Sequence, residues 1–330
     1  MKVKFLPWQP HCFAFGGFDI QMIITLEAVK NAGVDAGKLD IWSREKDFDL
    51  IHLWGVGAPN YHVIDWAKKS GKQVLATVLL PYHDTLRSKL GYYYRFFQVR
   101  QLVGYYKKID KIVVVNDLQA HVLNKYYKVP GSKIDIIPHL VSNQYFAVPD
   151  FNFSEKFKIS DYVLCTGNVS FRKNQYNLAL ACINLNLNLV LIGNVLDGEN
   201  QYGEKLEKLV KGKENILWLK ELQEESEELV SAYYDCRLYA LPSKSETQPI
   251  GALEAVAMRK PLILLDSGYA HQNYYRGATL CKSSSVKDIE KALTVAYNKN
   301  HIADWNPEIL KCKPENVGKK YKECYLNLVK

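Results

Sequence analysis

The stretch that decides the fold is RLYALPSKSETQPIGALEAVAMRKPLILLD, residues 237–266. Two apolar runs, RLYALP and PLILLD, stand on either side of a segment that has the length and the apolar periodicity of a helix. A strand, a helix and a second strand in this order form a right-handed crossover, in which the two strands are parallel. The stretch therefore predicts a parallel sheet with helices packed on its faces.

The same alternation of short apolar runs and helix-length segments continues along all 330 residues. The strand candidates are too many for one ordinary open sheet, so we predict an α/β protein with two doubly wound, Rossmann-like domains. The polar and aromatic segment 142–157 has neither a helical nor a strand period, and it places the domain boundary at 148. The predicted units are 1–148, 149–312 and a terminal helix in 313–330.

Composition excludes several classes of protein. With 48% hydrophobic residues the chain can bury two cores, yet no apolar run is long enough to span a membrane. The seven cysteines form no CxxC or Cys/His cluster, which indicates reduced thiols, a cytoplasmic location and no structural zinc site. The net charge is +8, and nearly all of the excess lies in residues 1–148, so this half is predicted to meet any anionic surface.

Two acids flank the start of the helix predicted in the 237–266 stretch. Glu246 lies in the loop at the carboxyl end of a strand, and Glu254 lies inside the helix. Pro249 suits the first helical position, and the backbone N–H groups of Ile250 and Gly251 would face outward, where an anion is favoured. Because carboxylates accept hydrogen bonds from sugar hydroxyls, the segment suits a nucleotide sugar. The alternative is a solvated loop acid and a helix-surface acid.

A second candidate segment is VLCTGNVSFRKNQYNLALA, residues 163–181. A strand ends at Gly167, and Arg172 and Lys173 follow it close to the start of a predicted helix. Two cations at this position can neutralise a diphosphate. The alternative is a solvated basic pair.

Two features of the first domain also follow predicted strands. Gly16 and Gly17 precede a helix without forming a GxGxxG fingerprint, so a dinucleotide site is not indicated. They are either a turn that lets a ligand approach the backbone or an ordinary tight turn. His83 follows the strand QVLATVLL and would contact a substrate hydroxyl or transfer a proton, unless it is a structural histidine.

Residues 85–109 contain no acid and combine Tyr and Phe with cations that include Arg95, Arg100, Lys107 and Lys108. Such a segment favours the surface of an anionic membrane or a lipid-linked acceptor. Stacking on nucleic-acid bases is the weaker interpretation, and no nucleic-acid partner is predicted. The remaining alternative is a core helix with a basic outer face.

Taken together, these motifs resemble the retaining glycosyltransferases of family 4. LPSKSETQPIGALEAVAMRKPLI, residues 241–263, is similar to the Glu-x7-Glu signature of that family, and residues 163–181 are similar to its donor-phosphate loop. KIVVVNDLQAHVLNKYYKVPGSKIDIIPHLVSNQYF, residues 111–146, is similar to the end of its first domain. The resemblance implies the two-domain GT-B fold with a central cleft, a metal-independent reaction and retention of the anomeric configuration.

The resemblance also implies roles for individual residues. Glu254 is similar to the acid that holds the ribose hydroxyls, and Glu246 is similar to the acid near the hydroxyls of the donor sugar. Lys173 is similar to the phosphate-binding lysine, and His83 is similar to the histidine that faces the donor sugar. The terminal helix is implied to cross back onto the first domain.

Other positions match the family less closely. Gly16 and Gly17 are similar to the glycine loop of the first domain that faces the diphosphate. Asn168 stands where the family usually has an arginine, and Arg172 is a candidate substitute. The signature reads Pro-Ile-Gly at its Phe-Gly position, a departure that concerns the identity of the donor more than the fold.

The resulting prediction is a retaining, metal-independent glycosyltransferase that moves a sugar from a UDP- or GDP-sugar to a glycan or lipid-linked acceptor in surface-polysaccharide biosynthesis. The nucleotide sugar is a substrate, so no cofactor and no metal are expected. The protein is predicted to be cytoplasmic and to contact the inner face of the membrane. Two alternatives stay open: a non-catalytic partner subunit that keeps the fold, and a sugar-nucleotide epimerase of the same fold.

Overall fold

A computed structural model describes residues 1–12, 16–80, 96–222, 226–299 and 302–329. Within the helix at 96–108, side chains are described from residue 102 onward. The chain forms two compact units, of which the first is Met1–Leu140 together with Leu310–Lys330 and the second is Val141–Ile309. Each unit is built around its own parallel sheet.

In the described residues, the sheet of the first unit has six parallel strands in the order β2-β1-β3-β4-β5-β6. These strands are β1 Lys2–Pro7, β2 Asp35–Lys38, β3 Leu50–Trp54, β4 Gln73–Thr77, β5 Lys111–Val114 and β6 Ile134–Ile136. The helices that connect them are α1 Gly17–Asn31, α2 Tyr61–Lys69, α3 Phe96–Lys108 and α4 Asp117–Tyr127. The strand order runs outward from β1 in both directions, so the sheet is doubly wound.

The described residues of the second unit form another six-stranded parallel sheet, in the order β12-β11-β10-β7-β8-β9. Its strands are β7 Tyr162–Thr166, β8 Asn188–Ile192, β9 Ile216–Leu219, β10 Leu238–Leu241, β11 Leu262–Leu265 and β12 Thr279–Cys281. Its helices are α5 Phe153–Phe157, α6 Gln175–Asn184, α7 Asn200–Val210, α8 Glu227–Asp235, α9 Ile250–Ala257 and α10 Val286–Tyr297. The predicted class, α/β with two doubly wound parallel sheets, is confirmed.

Burial explains why the apolar runs become strands. All five residues of β3 are buried, as a strand covered on both faces requires. The sequence prediction missed β2, whose residues DAGK are polar or small and only partly buried. β2 is an edge strand that pairs only with β1, so it needs little apolar surface.

The terminal helix, α11 Pro314–Leu328, packs on α1 of the first unit. Gly318 makes this contact close, because a Cβ atom there would overlap the carbonyl oxygen of Ala28. The helix therefore lies with its backbone directly against α1 at this point.

A buried polar cluster also ties α11 to the first sheet. His52 on β3 bonds through Nδ1 to the Tyr325 hydroxyl at 2.7 Å and through Nε2 to Thr77 Oγ1 at 2.8 Å. Thr77 Oγ1 lies 3.0 Å from the Tyr321 hydroxyl. Burial lowers the pKa of His52 to about 3, so the imidazole is neutral near pH 7. We call these four residues the His52 cluster.

The division between the two units falls at Leu140 and Val141 rather than at residue 148. The reason is an aromatic contact within the second unit. Tyr145 is buried and its ring meets the ring of Tyr233 edge-on, with centroids 5.3 Å apart. The aromatic segment that the sequence assigned to the boundary thus belongs to the second unit.

Candidate active site

Two neighbouring strands of the second sheet, β7 and β10, are followed by predicted donor-site residues, and β8 lies on the other side of β7. β10, β7 and β8 are consecutive in the sheet and parallel, so the loops that follow them leave from one edge. Residues 167–174 after β7 are called the Gly167 loop below, and residues 242–249 after β10 are called the Glu246 loop. The edge therefore gathers Lys173, Arg172 and Glu246 from separate parts of the sequence.

Glycine backbones shape the Gly167 loop. Gly167 has φ +103° and Gly193, directly after β8, has φ +143°, a region that side chains rarely allow. A Cβ atom on Gly193 would lie 2.5 Å from the carbonyl oxygen of Gly167, and one on Gly167 would overlap the Lys173 amine. Lys173 forms no ion pair with any described residue. The loop thus places the Lys173 ammonium group next to the backbone of Gly167. The helix that follows begins at Gln175, two residues after Lys173.

Arg172 joins the Gly167 loop to the Glu246 loop. Its guanidinium donates to Glu246 Oε1 at 2.6 Å and to the carbonyl oxygen of Ser245. Its own carbonyl oxygen accepts from Lys244 N at 2.8 Å. The structure thus brings Arg172 to the Glu246 carboxylate, while the phosphate contact predicted for Arg172 stays a prediction.

The start of helix α9 differs by one residue from the prediction. Pro249 is the N-cap, with ψ 120°, and Ile250 is the first helical residue. The N–H groups of Ala252 and Leu253 both donate to the carbonyl oxygen of Pro249 at 3.2 Å. Pro249 therefore ends the extended Glu246 loop and starts the first turn of the helix.

Gly251 lets helix α9 pack closely against three side-chain hydroxyl groups. A Cβ atom at this position would lie 2.5 Å from the Tyr239 hydroxyl, 2.7 Å from Thr166 Oγ1 and 2.8 Å from the Tyr233 hydroxyl. Any side chain at residue 251 would push the helix, and Glu254 with it, away from the sheet.

Glu254 is oriented by this hydroxyl group. Burial, and the nearby Glu254 carboxylate, raise the pKa of Tyr233 well above 10, so the phenol stays protonated and its O–H donates a hydrogen bond to Glu254. Thr166 Oγ1 lies 2.6 Å from the Tyr233 hydroxyl and donates to it in turn. We call Thr166, Tyr233, Tyr239 and Glu254 the Tyr233 cluster. Sequence reasoning missed its three hydroxyl residues, whose only signal is a polar group in otherwise apolar elements.

In the first unit, the predicted glycine pair opens helix α1. Gly16 is the N-cap, with an extended φ of −167°, and Gly17 is the first helical residue. The buried Asp19 carboxylate accepts from Gly16 N at 3.0 Å, and its other oxygen lies 3.4 Å from His11 Nε2. A Cβ atom on Gly16 would meet no atom of the described residues within 4 Å, and Gly17 is exposed. Asp19 is a residue that the sequence analysis passed over.

His83 and Arg95 lie outside the described residues, as does the side chain of Arg100. Of the other two predicted surface cations, Lys107 is exposed and Lys108 pairs with Asp65 at 2.5 Å.

The aromatic residues near the end of α3 pack inward. Tyr105 stacks on Tyr61 with ring centroids 4.0 Å apart, and Tyr106 is buried. The described part of the segment is thus a core helix with a basic outer face, the alternative that the sequence left open.

Three further properties concern the helices, the possible metal ligands and the cysteines of the described residues. None of its described helices combines the length and apolar character needed to cross a membrane. Its described residues contain no group of three or more His, Cys, Asp or Glu side chains that could hold a metal ion. All seven cysteines are free, and all except Cys12 are buried.

Two protein families match the sequence in the order of the two units. Residues 26–144 match the family described as Glycosyltransferase Family 4, and residues 149–306 match Glycosyl transferases group 1. The chain therefore belongs to the glycosyltransferases of family 4 type, as the motifs predicted. The predicted enzyme class, a glycosyltransferase, is confirmed. No curated protein sequence matches this chain.

Solved structures of other glycosyltransferases share the fold over nearly the whole chain. Anabaena HepE in complex with UDP-glucose has a TM-score of 0.77 at 13% identity, covering 99% of this chain and 100% of that one. Sucrose-phosphate synthase from Thermosynechococcus elongatus has a TM-score of 0.76 at 15% identity, covering 99% of each chain. WaaG, a glycosyltransferase involved in lipopolysaccharide biosynthesis, has a TM-score of 0.62 at 16% identity, covering 98% and 95%. The fold is the predicted GT-B fold.

Proposed function

We propose that this glycosyltransferase moves a hexosyl group from a UDP- or GDP-sugar to a glycan or lipid-linked acceptor. One observation carries the proposal: the Gly167 loop and the Glu246 loop are joined, so that Lys173 and Glu246 stand on one edge of the second sheet. The Lys173 ammonium group and the exposed backbone of the Gly167 loop can bind a diphosphate, and the carboxylates of Glu246 and Glu254 can accept hydrogen bonds from hydroxyl groups. A nucleotide sugar offers both.

Lys173 is assigned to the leaving diphosphate. Transfer breaks the bond between the anomeric carbon and a phosphate oxygen, and the departing nucleotide gains negative charge on that oxygen. An ammonium group held over the Gly167 backbone stabilises this charge as it develops. Since Asn168 is neutral and Arg172 is engaged with Glu246, Lys173 is the main cation of the Gly167 loop.

The two carboxylates are assigned to the two sugars of the donor. Glu254, held by Tyr233, accepts from the ribose hydroxyls, and Glu246, held by Arg172, accepts from the hydroxyls of the transferred sugar. Arg172 is a positioning residue in this scheme, because it fixes the direction of the Glu246 carboxylate. The N-terminal turn at Ile250 and Gly251 is assigned to the phosphates.

The acceptor is assigned to the first unit. Gly16 and Gly17 offer accessible backbone next to the buried Asp19, and His83 is kept as the candidate that faces the donor sugar. We further propose retention of the anomeric configuration, independence of metal ions and a cytoplasmic location at an anionic membrane surface. A pathway of surface-polysaccharide synthesis is consistent with the involvement of WaaG, which shares the fold, in lipopolysaccharide biosynthesis.

Calorimetry with UDP and GDP, followed by transfer assays with their glucose conjugates, tests this function. We expect one nucleotide to bind the wild type, product to form with EDTA present, and proton NMR of that product to show the anomeric configuration of the donor. Arg172→Gln should lower kcat more than it raises the KM for the donor, because Glu246 loses its direction. A chain that binds neither nucleotide would instead be a non-catalytic subunit, and a new epimer formed from donor alone would indicate an epimerase.

A further inference from the structure

A pocket of about 480 Å³ opens on the second unit beside the Gly167 loop, apart from the Arg172–Glu246 contact. It lies where the loop after β8 enters helix α7. Phe171, residues 198–202 and Lys205 line it. None of these residues has a role in the transfer proposed above.

The walls of the pocket are held in place by the surrounding backbone. The Tyr202 hydroxyl accepts from Tyr176 N at 2.9 Å, which ties α7 to α6. Phe171 N donates to Glu199 Oε2 at 3.4 Å, which ties the Gly167 loop to the start of α7. Gly203 lets α7 approach Val195, since a Cβ atom there would lie 2.6 Å from a methyl group of that valine. The pocket is therefore preformed, as small-molecule sites usually are.

An aromatic corner and several uncommitted polar groups share this pocket. The rings of Phe171 and Tyr202 meet at 89° with centroids 6.1 Å apart, yet Phe171 stays 60% exposed. The side chains of Asn200, Gln201 and Lys205 form no hydrogen bond or ion pair with any residue that the structure describes. The pocket thus offers hydrogen-bond donors and acceptors next to an exposed apolar ring.

These features select one chemical class of ligand. The Glu199 carboxylate disfavours a phosphate, and a purely apolar molecule would desolvate the amides and the ammonium group without satisfying them. A pyranose presents hydroxyls around its rim and C–H bonds on its face, which match the amides and the aromatic ring respectively. We propose that this pocket is a saccharide-binding subsite. Its natural occupant is a hexose unit of a glycan, an assignment that rests on the proposed function.

Saturation-transfer NMR on the full chain tests the subsite directly. The probes are methyl glucoside, methyl N-acetylglucosaminide and methyl glucuronide, each titrated to about 10 mM, since single sugars bind with millimolar affinity. Phe171→Ala is expected to weaken binding about fivefold, the loss of one aromatic contact. Tyr234→Ala is the matched control: it is another exposed aromatic of the second unit, with Lys260 over its ring as Lys244 lies over Phe171.

Asn200→Leu provides a second variant outside the Gly167 loop and should weaken binding about threefold, the value of one hydrogen bond. Tyr234→Ala should leave saccharide binding unchanged. The subsite is refuted when the wild type binds none of the three probes, or when Phe171→Ala and Asn200→Leu both bind as the wild type does. Calorimetry with UDP and GDP on the same samples keeps the two proposals apart: if neither nucleotide binds, the nucleotide-sugar function is contradicted and the subsite is not.

Discussion

The His52 cluster of the first unit and the Tyr233 cluster of the second are built from the same groups, hydroxyls around a titratable side chain, yet only one of them reaches the surface. His52 is fully buried and both of its ring nitrogens are bonded inside the cluster. Glu254 is only partly buried and joins its cluster through Tyr233. We call the His52 cluster closed because its polar groups bond one another inside the protein, and the Tyr233 cluster open because Glu254 is partly exposed.

The largest effect of a substitution is expected at Lys173, next to the Tyr233 cluster, and it concerns kcat. Lys173→Met should lower kcat about 10³-fold, because the leaving diphosphate loses its cation, while the free energy of unfolding changes little. Steady-state transfer rates and urea unfolding measure the two quantities. Lys208→Met, an exposed lysine on α7, is the control and should transfer sugar as the wild type does. A drop in kcat of less than about tenfold would contradict the role of Lys173.

Because His52 is buried, the His52 cluster should make the free energy of unfolding fall in acid. The pKa of His52 is about 3 in the folded chain and near 6.5 when unfolded, so below pH 6.5 only the unfolded state takes up its proton. The free energy of unfolding should therefore fall by about 3 kcal/mol from this group between pH 6.5 and pH 4. Burial also lowers the pKa of His139 to about 4, which acts in the same direction.

Urea unfolding at a series of pH values measures this loss. His52→Gln keeps hydrogen-bonding groups but cannot take up a proton in this range, so its unfolding free energy should depend less steeply on pH. Equal slopes for the variant and the wild type between pH 6.5 and pH 4 would show that His52 is not the acid-sensitive group.

Substitution of Gly251, beside the Tyr233 cluster, and of Gly16, in the first unit, should affect stability by smaller and unequal amounts. Gly251→Ala should cost about 2 kcal/mol of stability, since its methyl group collides with the Tyr233 cluster. Gly16→Ala should cost about 0.5 kcal/mol or less, since its φ is extended and the space around it is open. Thermal unfolding of both variants measures the difference. Similar losses in the two would mean that α9 can shift freely on the hydroxyl group.

A smaller effect than that of Lys173→Met is expected for Tyr233→Phe, which removes the hydroxyl that orients Glu254 and contacts Thr166. Affinity for UDP should fall about tenfold, the value of one hydrogen bond to a charged group. Tyr234→Phe, which alters the exposed neighbour, should leave the affinity unchanged. Calorimetry with UDP compares the two variants, and equal affinities would remove Tyr233 from the donor site.

Sequence patterns identified the elements that are governed by local chemistry. The apolar runs RLYALP and PLILLD become the parallel neighbours β10 and β11, because buried strands need continuous apolar side chains. The polar edge strand β2 was missed, since an edge position relaxes that need. Pro249 was placed one residue too far into the helix, because an N-cap and a first helical residue both accept its fixed φ.

By itself, the sequence determined the α/β class, the two sheets and the family, and it made Glu246, Glu254 and Lys173 the candidate site residues, since each leaves a local pattern of residues. Only the tertiary structure decided that Arg172 binds Glu246, that Tyr233 orients Glu254 and that α11 is tied to His52. These partners lie apart along the chain. Arg172 and Glu246 meet because parallel strands align their ends, and α11 reaches His52 because it packs on the first unit. Contacts of this kind are set by strand order and packing, which no local pattern records.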